Sequence, residues 1–307
     1  MSNSGSALKT ILIIVGVFVF LFFLLIGIGI YSFISTDSSD ENGYTSNLKS
    51  GNKIGVLEIN SEIITSDAVV KQVKEFTESS SIKALVVRVN SPGGGVAASQ
   101  EMYQIIRQFR ETGRPVVISM GGVAASGGYY LALGGSKIMA NPGTVTGSIG
   151  VILQLTKLKP LMDKVGVDII TVKSGKFKDA GSPFRDMTDD ERKYFQGVID
   201  DTYDQFVTAV VDERKLPKEK VLELAQGQIF TGRQALNAGL VDTLGTYEDA
   251  IIYAGKLAGI DGTPDIVKRK KNVTIMERIL GEDETESMSS IREMFVNKPL
   301  LQYRMVQ

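Results

Sequence analysis

From Lys53 onward, short runs of β-branched and aliphatic residues alternate with longer stretches of helical apolar spacing, and this alternation confines the chain to the α/β class. Ile54–Ile59, Ala84–Val89 and Val116–Met120 are apolar and too short for helices, so they read as strands. Asp67–Thr77 and Ala97–Arg110 lie between them with apolar residues at helical intervals, as at Met102, Ile105, Ile106 and Phe109. Strands separated by helices imply right-handed parallel βαβ units, and the near-continuous apolar run Ala84–Val89 implies burial on both sheet faces. Further on, Thr188 with Glu191 forms a capping box that opens a helix through Tyr194, Phe195, Val198, Tyr203, Phe206 and Val210. Pro217 opens another short helix through Leu224.

Two segments precede this region. Ile11–Ile34 carries no charged side chain, with Tyr31 and Ser32 its polar interruptions, and at about 1.5 Å per residue it is long enough to cross the roughly 30 Å hydrocarbon core of a bilayer. No small-residue cleavage pattern follows at Ser35-Thr36-Asp37, so the run reads as a retained anchor. Lys9 before it and Asp37, Asp40 and Glu41 after it favour a cytoplasmic amino terminus, residues 1–10, with the remainder outside. Residues 35–52, rich in Ser, Asp, Asn and Gly, read as a solvated linker. The folded domain is then 53–262. The stretch 263–307, with the basic run Lys268-Arg269-Lys270-Lys271 and the acidic patch Glu282–Glu286, reads as an extended tail, its basic run a solvated strand end.

The chemistry is bounded by what the chain lacks. It has 307 residues, no histidine and no cysteine. A Ser-His-Asp triad, a cysteine nucleophile and a His- or Cys-ligated metal are all excluded, and no cofactor motif is present. A formal net charge of −1 offers nucleic acid no general attraction. A nucleophilic serine would need a lysine, an amine terminus or a carboxylate as base, and lysine is the best attested.

Two glycine-rich islands carry the chemical signal. Asn90-Ser91-Pro92-Gly93-Gly94-Gly95 follows a strand and precedes a helix, a setting where backbone N–H groups can turn toward a ligand; a plain structural turn fits the same residues. The spacing of a phosphate loop or a dinucleotide fingerprint is absent. Met120–Tyr130 follows another strand, and within it Ser126 precedes Gly127 at the expected start of a helix, where orphan N–H groups favour an anion. Ser126 could equally be an ordinary N-cap.

Taken together, Arg88–Gly95, Ala125–Tyr130, Thr146-Gly147-Ser148-Ile149-Gly150, Ser174-Gly175-Lys176-Phe177-Lys178-Asp179, Phe230–Ala235 and Gly239-Leu240-Val241-Asp242 resemble the signal peptide peptidase A family of membrane-anchored serine peptidases, in its short single-repeat form. The resemblance covers about Lys53 to Asp261. It implies a fold like the Clp protease and crotonase group, a ββα spiral preceded by one transmembrane helix. It also implies a Ser-Lys dyad: Ser126 as nucleophile, Lys178 as general base, Ser148 orienting the lysine, and Gly94 with Gly127 supplying oxyanion amides. Lys173 and Lys176 are nearby lysines with an ordinary reading as solvated loop charges. A lysine accepts a proton only when its amine is neutral, which burial favours.

The implied activity is endopeptidase hydrolysis of remnant signal peptides, with small or apolar residues near the cut, by a homo-oligomer that shares its sites between protomers and faces away from the cytoplasm. The alternatives are a crotonase-type acyl-CoA enzyme and a non-catalytic, membrane-anchored ring scaffold.

Overall fold

The structure is a computed structural model that describes residues 24, 44–46, 52–269 and 301–305. The chain divides into two units, and the second, Thr45–Arg269 with Val273–Gln307, carries the fold. The apolar run Ile11–Ile34 lies, apart from Leu24, outside the described residues; among those that are described, no helix is long and apolar enough to cross a membrane.

The strands expected from sequence are present and longer. They are β2 (Lys53–Asn60), β3 (Ile82–Ser91) and β5 (Val116–Ala125), with a three-residue β1 (Tyr44–Ser46) before them and β4 (Gly93–Gly95) between the last two. Helices α1 (Asp67–Glu78) and α2 (Val96–Glu111) make the crossovers. β2 pairs with β3, and β3 with β5, all in parallel, as the βαβ reading required. Val86, Val87, Val117 and Ile118 are fully buried, because helices cover both faces of the sheet. From α2, Met102, Ile106 and Phe109 enter one side of that core.

After β5 come α3 (Gly127–Ala132), β6 (Lys137–Ala140), β7 (Val145–Gly147), β8 (Ile152–Leu153), α4 (Lys159–Val165), α5 (Asp189–Arg214), α6 (Lys218–Leu224), β9 (Ile229–Thr231), α7 (Gly232–Asn237), β10 (Thr243–Leu244), α8 (Tyr247–Leu257), β11 (Asp265–Arg269) and β12 (Leu301–Arg304). Among the described residues the main sheet runs β1-β11-β2-β3-β5-β6-β10, with β7 added to the far end of β5 and β9 to β7. A separate three-stranded sheet has the order β4-β12-β8.

Both parts of the stretch read from sequence as a tail that are described pair with the domain. β11 adds to the sheet beside β2, and Lys268 reaches Glu58 at 2.8 Å, so the basic run begins inside a strand. β12 lies between two strands of the site. No sequence period announces either pairing, since each partner is remote in the chain.

α5 opens on the expected capping box, with the Glu191 N–H donating to Thr188 Oγ1 and the Thr188 N–H to Glu191. Its second half buries Phe206, Val207 and Val210, while Tyr194 and Val198 in its first half stay exposed.

Candidate active site

The two glycine islands meet at the carboxyl ends of β3 and β5. β5 runs on past Met120 because β7 pairs with it in parallel, Ala124 opposite Thr146 and Ala125 opposite Gly147. The pairing ends at Ser126, whose N–H donates to the Gly147 carbonyl at 2.8 Å. Ser126 has φ 54° and ψ −114°, a conformation that a residue bearing a Cβ adopts at a cost of order 1–3 kcal/mol. Such strain points to a turn whose shape matters. Its side chain makes no N-cap hydrogen bond to α3, which removes the ordinary capping role. Ser126 is fully buried and its Oγ has no hydrogen-bond partner among the described residues. A buried hydroxyl without a partner is costly in a purely structural setting.

A second serine with positive φ lies one strand away. Ser148 has φ 50°, is 7% exposed and donates its N–H to the Gln228 carbonyl at 2.9 Å. Ser126 and Ser148 therefore follow a paired couple, Ala125 and Gly147, at the end of adjacent strands.

The glycines around Ser126 are required by close approach. A Cβ on Gly93 would stand 2.6 Å from the Gly127 nitrogen, and one on Gly127 would stand 2.5 Å from Ser99 Oγ. The backbones of the two islands thus pack directly together, which brings the Gly94 loop beside the N-terminus of α3. Asn90 holds the first island against the second by accepting the Val123 N–H at 3.2 Å. Thr144 and Thr146 donate their hydroxyls to the carbonyls of Gly121 and Ala124, at 2.7 and 2.6 Å, and fix the strand that ends in Ser126. Tyr129, buried one turn into α3, donates to the Leu240 carbonyl at 2.9 Å.

Lys178 stands apart from this cluster. It lies in an exposed turn before α5, and no hydrogen bond or ion pair joins it to Ser126 or Ser148 among the described residues. Of the three lysines in that loop, Lys173 pairs with Asp179 and Lys176 with Asp190, while the Lys178 ammonium has no such partner. The turn is anchored next to Lys178: Arg185 donates to Asp179 at 2.8 Å and to Glu191 at 2.9 Å. Hydrogen bonds from Arg185 and then Lys173 hold the Asp179 carboxyl far below its ordinary range, and Arg185 with the Thr188 N–H brings Glu191 down to about 2.

Sequence reasoning missed the strand that pairs with the Gly94 loop. β12 runs antiparallel to β4, with Tyr303 opposite Gly94, and antiparallel to β8, with Gln302 opposite Ile152. Tyr130 was visible only as part of a motif, and the site role of Ser99, which donates to the Gly95 carbonyl at 2.9 Å, had no signal at all. Among the described residues no cluster of carboxylates suited to a metal ion occurs.

Residues 108–261 match the family described as Peptidase family S49, and residues 43–145 match that described as Clp protease. A protein of Synechocystis sp. whose given name is that of a protease is 49% identical over 218 residues, covering 70% of this chain and 77% of that protein. Protease 4 of Salmonella typhi is 37% identical over 192 residues, 62% of this chain and 31% of the other. The chloroplastic serine protease SPPA of Arabidopsis thaliana is 34% identical over 224 residues, 73% of this chain and 32% of the other. The chain therefore spans about three quarters of the first of these relatives and about a third of the other two. With the glycine islands, the strained serine and these matches together, the chain belongs to Peptidase family S49, the signal peptide peptidase A family, and is a serine endopeptidase.

Proposed function

We propose that this chain is a membrane-anchored endopeptidase that cuts remnant signal peptides with a Ser-Lys dyad. Its anchor is Ile11–Ile34, and its catalytic domain, built as a Clp-like ββα spiral, faces away from the cytoplasm. Ser126 is the nucleophile, Lys178 the general base and Ser148 the residue that orients the lysine. The amides of Gly94 and Gly127 stabilise the oxyanion.

The observation that carries this reading is Ser126 itself, a buried and unpartnered hydroxyl on a strained turn at the start of a helix. In the reaction Ser126 Oγ attacks the scissile carbonyl while its proton passes to the neutral Lys178 amine. The tetrahedral oxyanion sits against backbone N–H groups, a contribution of about 3 kcal/mol per donor. Lys178 then protonates the leaving amine, and water releases the acyl group by the reverse sequence.

The exposure of Lys178 supports a site completed by a second copy. A lysine base works in a site closed to bulk water, whereas Lys178 stands exposed in its loop. The loop around Lys178 exposes Ile170 at 90% and Val172 at 96%, with Phe177 stacked on the exposed Tyr194 at 5.1 Å. An apolar surface of this kind is suited to burial between protomers. A neighbouring copy that covers it would dry the lysine and bring it to the neighbour's Ser126.

A fluorophosphonate probe tests the nucleophile. Labelling is expected at Ser126 and is lost in Ser126→Ala; labelling that survives the substitution rules the assignment out.

A further inference from the structure

The run Phe230–Ala235 stands out in the sequence but has no part in the chemistry described so far. Its first residues belong to β9, which lies antiparallel on β7 with Phe230 opposite Thr146 and Ile229 opposite Gly147. The strand is fixed at both ends. Before it, the Gln228 carboxamide donates to the Glu223 carbonyl at 2.8 Å and accepts the Gln226 N–H at 2.8 Å, which ties the strand to the end of α6. After it, Thr231 opens α7 in a capping box with Gln234. The next residue, Gly232, lies so close to Asn141 that a Cβ there would stand 2.0 Å from the Asn141 carbonyl oxygen.

Opposite this strand the contacts converge on Gly147. It is buried and has φ 76°, and a Cβ on it would stand 2.5 Å from Phe230 Cδ2 and 3.1 Å from Cε2. The edge of the Phe230 ring therefore rests on the Gly147 Cα. The Gly147 carbonyl accepts the Ser126 N–H at 2.8 Å, and the next residue, Ser148, donates its N–H to the Gln228 carbonyl at 2.9 Å. One residue further, the Ile149 carbonyl accepts the Gly227 N–H at 3.1 Å. Ser126 and Ser148 both take positive φ, which a residue with a Cβ keeps only where its surroundings over-determine it. For Ser126 the restraint is the Gly147 carbonyl and for Ser148 it is the Gln228 carbonyl. The segment 227–231 governs both.

We propose that Phe230 is a positioning residue for the reaction: its ring, held by β9, fixes the Gly147 peptide and through it the placement of Ser126 and Ser148. The inference rests on Ser126 being the nucleophile. Phe230 acts through Gly147 and not on substrate. With the ring removed, a space opens beside Gly147, the peptide whose carbonyl closes the Ser126 turn is free to rotate, and the strained serine relaxes out of line with the scissile carbonyl. A misplacement of about 1 Å in a reacting group costs about 100-fold in rate, so a side chain remote from the chemistry controls turnover. Ground-state binding does not depend on that alignment, so the loss falls on kcat and spares KM.

The test uses the full chain purified in detergent, with Phe230→Ala and with Phe230→Tyr, which keeps the ring edge on Gly147. Steady-state kinetics on a fluorogenic peptide, the rate of fluorophosphonate labelling and amide hydrogen exchange are measured below the melting temperature of each variant. Phe230→Ala is expected to lose about 100-fold in kcat with KM held, to label correspondingly slowly, and to exchange faster at the Ser126 and Ser148 amides while those of β2 and β3 stay protected. Phe230→Tyr is expected to restore all three. Should Phe230→Ala not fold, Phe230→Leu, which lacks the flat ring edge, carries the same comparison. A truncated variant that melts earlier yet keeps wild-type kcat while folded, or a Phe230→Tyr enzyme as slow as it, overturns the proposal and leaves the nucleophile standing. A wild-type chain that neither cuts peptide nor takes the fluorophosphonate overturns the nucleophile, and the positioning role falls with it.

Discussion

The backbone N–H of Ser126 donates to the carbonyl of Gly147 at 2.8 Å, so the turn that presents the buried hydroxyl is closed by the residue before Ser148. Two serines far apart in sequence are locked at the ends of adjacent strands, and both take positive φ. The strain at each is held by the pairing of β5 with β7, and several consequences can be measured.

Gly127→Ala should be inactive and less stable. The new Cβ would stand 2.5 Å from Ser99 Oγ and 3.0 Å from the Tyr303 carbonyl oxygen, so the turn after Ser126 must shift. Displacing one oxyanion amide costs about 100-fold or more in kcat. Steady-state kinetics with a thermal melt separates the two effects: kcat should fall even at temperatures where the variant is fully folded.

Lys178→Ala and Lys178→Arg should both lose turnover, because arginine keeps its charge and cannot accept the serine proton. Lys173→Ala and Lys176→Ala remove loop ion pairs with Asp179 and Asp190 and should keep most of the rate. The comparison is the rate on one fluorogenic peptide with folding checked for each. Activity that persists in Lys178→Ala and vanishes in Lys176→Ala moves the base to Lys176.

The loop that carries Lys178 should loosen in acid. Arg185 and the Thr188 N–H depress Glu191 to about 2, below an unfolded carboxylate near 4.3, so the folded state binds fewer protons and its stability is fully present above about pH 4.3. That stability drains away as pH falls from about 4 toward 2, and Asp179, depressed chiefly by Arg185, adds to the loss. Hydrogen exchange across residues 173–192 should accelerate in this window. Arg185→Gln should show the faster exchange already at neutral pH.

Tyr129→Phe should cost about 1–2 kcal/mol, because it leaves the buried Leu240 carbonyl without its 2.9 Å donor. Urea unfolding measures it. An unchanged midpoint would mean that Leu240 finds another partner.

Protease added to wall-stripped cells should digest the domain beyond Lys53 if the orientation proposed from the charges flanking Ile11–Ile34 holds. Full protection until lysis would reverse the orientation.

Local chemistry made the fold class legible in the chain, while the resemblance carried by the glycine islands singled out Ser126 as the candidate nucleophile. Strand and helix lengths follow from apolar spacing, as in β3 and α2, and the capping box at Thr188 fixes a helix start from two residues alone. The glycine islands could be read because close backbone approach leaves only one residue type possible, as at Gly93 and Gly127. The absence of histidine narrowed the base before any coordinates. What spacing could not express was every pairing between distant segments. That β7 closes the Ser126 turn, that β11 joins the sheet and that β12 lies between β4 and β8 are long-range hydrogen-bond registers, decided by which edges remain free once the sheet is built. The aromatic cluster has the same origin: Tyr103, Tyr130, Phe206 and Tyr303 come from four elements, and only the packing of α2, α3, α5 and β12 makes them neighbours.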